Sequence, residues 1–260
     1  MDSVSVGSVT HAEWIKFRTV RSTVIGYVVT VVLTMGLGAL ITSAIRSHWQ
    51  TMNPLRKLTF DPVSTSLGGT LFAQFAVGVI GVLFITSEYS SGSIRTTLAA
   101  TPRRVQVVVA KLIVLVSVTI VISELVVFAA FLMGQRIYQG VVPTASLGSG
   151  AVLRSVVLGG VYLTLLASLG FGLGLLLRQQ SAAISVFTSL LLIVPIIVFV
   201  LPQSWQSSFT RYEPSSLGHA MMSVSPSLDM FGPWTAALVL VGYVALVLVV
   251  STTTLVRRDA

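Results

Sequence analysis

Charge is what this sequence has least of. Asp, Glu, Lys and Arg make up 9% of its 260 residues, against roughly 25% in an average soluble domain. With 54% hydrophobic residues and a mean hydropathy of +0.92, too few polar groups are left to cover a water-facing surface, and the chain reads as an integral membrane protein. Cysteine is absent, which excludes disulfides and thiolate metal sites. The only lysines, Lys16, Lys57 and Lys111, follow Ile, Arg and Ala. A phosphate-cradling P-loop needs a Gly-Lys pair in a glycine-rich turn, so this chain alone is not expected to hydrolyse ATP. His11, His48 and His219 stand in separate segments, without the i, i+4 pairing of a zinc helix. No G-x-S-x-G nucleophile turn is present. The expectation is therefore no catalytic residue, no metal and no resident cofactor. The net charge of +8 is spread over the ends of apolar runs rather than gathered on one face, which argues for lipid headgroups over nucleic acid.

What the sequence does have is long apolar runs, each near the 20 residues that cross a bilayer. Six spans are expected, at about 24–45, 67–86, 112–133, 152–177, 182–201 and 234–256. The fold class is all-α: a cytoplasmic interfacial segment 1–23, one six-span domain 24–256 and a short cytoplasmic tail 257–260. Pro195 interrupts the fifth run and removes one helix hydrogen bond. The first run is longer than a signal-peptide core and starts after more than twenty mixed residues, so no cleaved signal is expected.

An even span count places both termini on one side. Lys16, Arg18, Arg21, Arg95, Arg103, Arg104, Lys111, Arg178, Arg257 and Arg258 fall on that side, and Arg46, Arg56, Lys57, Arg136, Arg154 and Arg211 on the other. The richer side is expected to be the cytoplasm, with the 46–65 loop the main evidence against.

The stretch "SEYSSGSIRTTLAATPRRVQVVVAK", residues 87–111, gathers Glu88, Arg95, Arg103, Arg104 and Lys111 between spans two and three. As a helix from Glu88 to Thr101 it would be amphipathic, with Glu88 and Arg95 about 20° apart on the wheel and Ile94 and Leu98 paired on another side. Pro102 would end it, a second helix would climb into span three, and Lys111 would snorkel at the interface. The orientation rule alone explains the basic residues of a solvated turn; it does not explain the arrangement of Glu88, Gly92 and Pro102.

That arrangement, with "AK" at the start of span three, the basic leader "HAEWIKFRTVRS", the six spans and the long segment before span six, resembles the ABC type-2 transporter permeases over nearly the whole chain. The resemblance implies a coupling helix between spans two and three that docks on a separate P-loop ATPase subunit. Glu88 and Gly92 match the acidic and glycine positions of its motif, and Tyr89 and Arg95 are expected contacts beside them. Lys111 matches the basic residue entering span three, with Arg103 and Arg104 leading to it. The leader resembles the family's interfacial connecting helix. The resemblance further implies a second permease chain, identical or not, ATP and magnesium on the partner ATPase, contact with membrane lipid, and a plasma-membrane location. Family substrates vary widely; a path with few polar residues suggests export of a hydrophobic or amphipathic, drug-like or lipid-like molecule.

Glu124 falls near the middle of span three, where a charge costs about 2.5–3.5 kcal/mol on insertion scales. It could handle protons or cations in a translocation path, with Ser117 seven residues earlier on the same face, or bond another helix through Gln74 in span two. The first option carries a rival reading, a proton-coupled secondary transporter; a scaffold without cargo is a third. In "GFGLG", Gly170 and Gly174 form a G-x-x-x-G pair suited to close helix packing, a dimer interface or a hinge. Between spans five and six, "SSLGHAMM" could form a short helix after Pro214 with Leu217, Met221 and Met222 towards the bilayer, as a lid or re-entrant element, or belong to an ordinary external loop.

Overall fold

The computed structural model describes Gly7, Thr10, Glu13, Trp14 and residues 21–93, 104–225 and 229–258. Every regular element among them is helical, and six are long and apolar enough to cross a membrane: an all-α, polytopic fold.

The first span is α1 (Arg21–Val32) and α2 (Gly38–His48), joined without a break by a π-helical turn, Leu33–Leu37. Two short helices follow, α3 (Pro54–Leu58) and α4 (Pro62–Ser66). Each starts with proline behind an acceptor side chain: Asn53 accepts from the Leu55 amide at 2.9 Å, and Asp61 from the Val63 amide at 2.8 Å. Proline has no N–H to satisfy at that position, and the caps take up the donors that follow.

The other spans are α5 (Thr70–Ser91), α6 (Arg104–Tyr138), α7 (Gly150–Leu177), α8 (Gln180–Val200) and α11 (Pro233–Arg258). Helix α8 continues through Pro195. Two boundaries differ substantially from the hydropathy reading. Helix α5 runs on to Ser91 because residues 87–91 hold no breaker before Gly92. Helix α6 begins at Arg104, so "RVQVVVAK" is the first part of the span-three helix and not a separate climbing helix.

Helix α7 is the central post, buried along most of its length, whereas the faces of α1, α8 and α11 are largely exposed. Glycine sets how closely it packs on α5. A Cβ at Gly170 would lie 2.1 Å from the Gly78 carbonyl oxygen, and one at Gly81 would lie 1.9 Å from that of Ala167. Gly174 faces Ile85 in the same contact. Lipid offers no hydrophobic drive between spans, so close backbone approach of this kind supplies the packing.

The segment before the last span forms α9 (Gln203–Thr210), which is largely exposed, and α10 (Pro214–Met222), which folds back into the bundle. Leu217, Ala220, Met221 and Met222 are buried against the other helices, which corrects the expectation that Leu217, Met221 and Met222 face the bilayer. The Tyr162 ring lies on Gly218. The far end of α10 is pinned where Ser155 Oγ and Arg154 donate to the Ser223 carbonyl at 3.1 and 3.2 Å, and where the Val224 amide donates to Asp61 Oδ2 at 3.3 Å. An amphipathic pattern fixes which face of a short helix is apolar; here neighbouring spans cover that face, not lipid.

Candidate coupling junction

At the end of the bundle where α5 stops and α6 starts, Lys111 is fully buried. Its position follows from its place on α6: about two turns after Arg104, the side chain points between α5 and the N-terminal segment rather than outwards. Lys111 Nζ donates to Glu88 Oε1 at 2.7 Å and to Glu13 Oε2 at 2.5 Å, and lies 5.3 Å from the centre of the Phe84 ring. Glu13 and Glu88 are buried as well. The snorkelling expected of Lys111 is thus corrected: carboxylates from two other segments meet the ammonium inside the protein and remove its need to reach water.

The place of Glu88 changes with it. A separate helix from Glu88 to Thr101 would put this carboxylate on an exposed amphipathic face; in the structure it belongs to the last turn of span two and points inward. Gly92, at φ 73°, closes α5. That left-handed conformation is open to glycine at little cost and strained for other residues. The motif glycine therefore acts as a helix stop. Arg95, Arg103 and the rest of the expected coupling helix, residues 94–103, lie outside the described residues, as do Lys16 and Arg18 of the leader.

Tyr89 packs towards the turn that follows α7. Its half-buried ring carries the Arg178 guanidinium 5.8 Å from its centre, and Arg178 itself has φ 57° where it ends α7. This joins the end of span two to the tight turn between spans four and five. On the opposite flank, Arg104 Nη1 donates to the Leu255 carbonyl near the end of α11 at 3.2 Å. One end of the bundle thus ties the N-terminal segment, α5, α6, α7 and α11 together within a few residues of the 94–103 loop.

Deeper in the bundle, Gln74 Oε1 accepts hydrogen bonds from the Tyr162 hydroxyl of α7 and, at 3.4 Å, from Ser215 of α10. These replace the bond to Glu124 considered from the sequence. The Glu124 carboxyl lies instead against Gly160, where a Cβ would come within 2.4 Å of it, and its buried Oε2 has no hydrogen-bond partner among the described residues. Ser117 faces outward, so Ser117, Gln74 and Glu124 do not line one path. Sequence reading missed Glu13, Tyr162 and Arg178. An acidic residue in a basic leader was the one available signal for Glu13; Tyr162 and Arg178 carried none without the fold. Among the described residues no group of three or more His, Asp or Glu side chains is placed to hold a metal.

No family model matches the chain, and no curated protein matches it.

Proposed function

We propose that this chain is the permease subunit of an ATP-driven exporter, working with a separate P-loop ATPase and a second permease chain, with both termini and the 94–103 loop in the cytoplasm. The observation that carries the reading is the Lys111 junction. It joins the N-terminal segment and the two helices flanking the 94–103 loop through buried ion pairs, so a force applied to that loop reaches three elements together. Solvated hinges at the same place would dissipate it. Buried pairs of this geometry are costly to break singly, about 3–5 kcal/mol, which suits a rigid transmission point. Cargo of hydrophobic or amphipathic character fits a bundle whose interior is mostly apolar.

The test is reconstitution of the chain with its ATPase in liposomes. Substrate efflux is expected to require ATP, and Glu88→Ala is expected to reduce efflux per ATP hydrolysed. Unchanged efflux and complex formation in Glu88→Ala would remove the junction from the coupling path. The unpartnered Glu124 carboxyl favours one rival, a proton-coupled transporter: efflux would then proceed without the ATPase, follow a proton gradient and vanish in Glu124→Gln.

A further inference from the structure

At the end of the bundle away from the Lys111 junction, a cavity of about 710 Å³ lies between α8, α9 and the turn into α10. Its size falls in the range of sites for small organic ligands. Pro195 and Phe199 of α8 form an apolar wall; Gln203, Arg211, Glu213 and Asp229 bring polar groups to the rest. Glu213 is 8% exposed, and its Oε2 accepts from the Ser216 hydroxyl at 3.3 Å. Neither Glu213 nor Asp229 has an ion-pair partner among the described residues.

The one cation on the cavity wall among the described residues, Arg211, forms no ion pair with either acid. The Arg211 guanidinium lies 5.7 Å from the Tyr212 ring centre and 5.8 Å from that of Phe231, and its Nε donates to the Ser208 carbonyl at 3.3 Å. Two carboxylates therefore share a partly enclosed space with no countercharge at contact distance, one of them in a buried position where an unpaired charge is costly. Beside them runs the outward side of α8, one of the six candidate spans: Ile196, Phe199 and Val200 are 57%, 78% and 78% exposed. Two carboxylates against one guanidinium leave the cavity net negative, and next to the outward apolar side of span five that is the complement of an amphiphile with a cationic head.

We propose that this cavity binds an amphiphile carrying a protonated amine, its ammonium group held by Glu213 and Asp229 and its apolar tail laid along Phe199 and the exposed face of α8. An ammonium suits the site better than a bare metal ion, because only two carboxylates line the cavity among the described residues and the Gln203 amide on the same wall carries an acceptor for a third N–H. Binding here stands apart from the transport reading; use of the site by cargo rests on it.

The test uses the full chain with Trp14, Trp49 and Trp234 replaced by Phe, in dodecylmaltoside, titrated with dodecylamine and, in parallel, with dodecanol, following the fluorescence of the remaining Trp205 in α9. The amine is expected to bind saturably. Asp229→Asn, at an exposed position that leaves packing intact, is expected to weaken it several-fold, and Glu213→Gln with Asp229→Asn at least tenfold, while the dodecanol response stays the same in all proteins. Equal amine affinity in wild type and both variants overturns the proposal, as does a parallel loss for dodecanol. Competition by phosphatidylethanolamine but not phosphatidylcholine would identify a lipid headgroup as the source of the ammonium; no competition would identify a free amine. Saturable binding without ATP-driven efflux of the amine leaves the site standing and counts against the exporter reading alone.

Discussion

Lys111 and Glu88 sit 23 residues apart in sequence, on opposite sides of the 94–103 loop, and meet in a buried contact of 2.7 Å. The end of α5 and the start of α6 are therefore clasped together. Glu13, 98 residues from Lys111, makes the N-terminal segment part of the same clasp.

Removing the ammonium should be worse than removing one carboxylate. Lys111→Met leaves two buried acids facing each other, and a loss of about 3–5 kcal/mol is expected from stranding charge of this kind. The check is the thermal midpoint of the detergent-solubilised chain. Lys111→Met should fall clearly below Glu88→Gln, which keeps the Glu13 contact.

Gly92→Ala is expected to cost about 1 kcal/mol, because its φ of 73° suits glycine alone. Among the described residues nothing lies within 4 Å of a Cβ there, so the penalty expected from them is conformational. Expression should be near normal, with a lower ratio of efflux to ATP hydrolysis in the reconstituted complex.

Packing of α7 on α5 gives an internally controlled prediction. Gly170→Ala drives a methyl to 2.1 Å from the Gly78 carbonyl, whereas Gly242→Ala meets nothing within 4 Å. The first should destabilise by about 1–3 kcal/mol, as overpacking does. Gly242→Ala should leave the thermal midpoint where it is.

Amine binding to the α8–α9 cavity should weaken as pH falls. Burial raises the Glu213 carboxyl above the ordinary carboxylate range, partly offset by the Ser216 hydroxyl, so protonation removes its charge at a higher pH than for an exposed glutamate. The other charged groups facing it are Arg211 and Asp229. A raised carboxylate also means that the folded chain binds this proton more readily than the unfolded one. Its contribution to stability is complete at low pH and declines as pH rises through the raised value. Thermal midpoints of Glu213→Gln and wild type should thus draw together on acidification.

The six spans were legible because hydropathy over 20 residues is a property of local sequence. Helix limits were less so: the apolar run ends at Thr86, but backbone hydrogen bonding continues until Gly92 forbids it, so Glu88 was assigned to the wrong helix. Pairings across the bundle were beyond reach. Nothing near Lys111 points to Glu13, and nothing near Gln74 points to Tyr162, because both contacts exist only once separate helices are packed. For α10, the pattern of Leu217, Met221 and Met222 gave the apolar face correctly and its covering wrongly, since lipid and protein interior look alike to an amphipathic helix.

Delivery of the force of ATP hydrolysis to residues 94–103 can be tested by cross-linking, because the chain has no cysteine. A single Thr97→Cys chain, reconstituted with an ATPase bearing single cysteines around its surface, should form a disulfide at one ATPase patch, and that cross-link should arrest efflux until it is reduced. No cross-link to any ATPase position, together with efflux that continues when the ATPase is left out, would contradict the account.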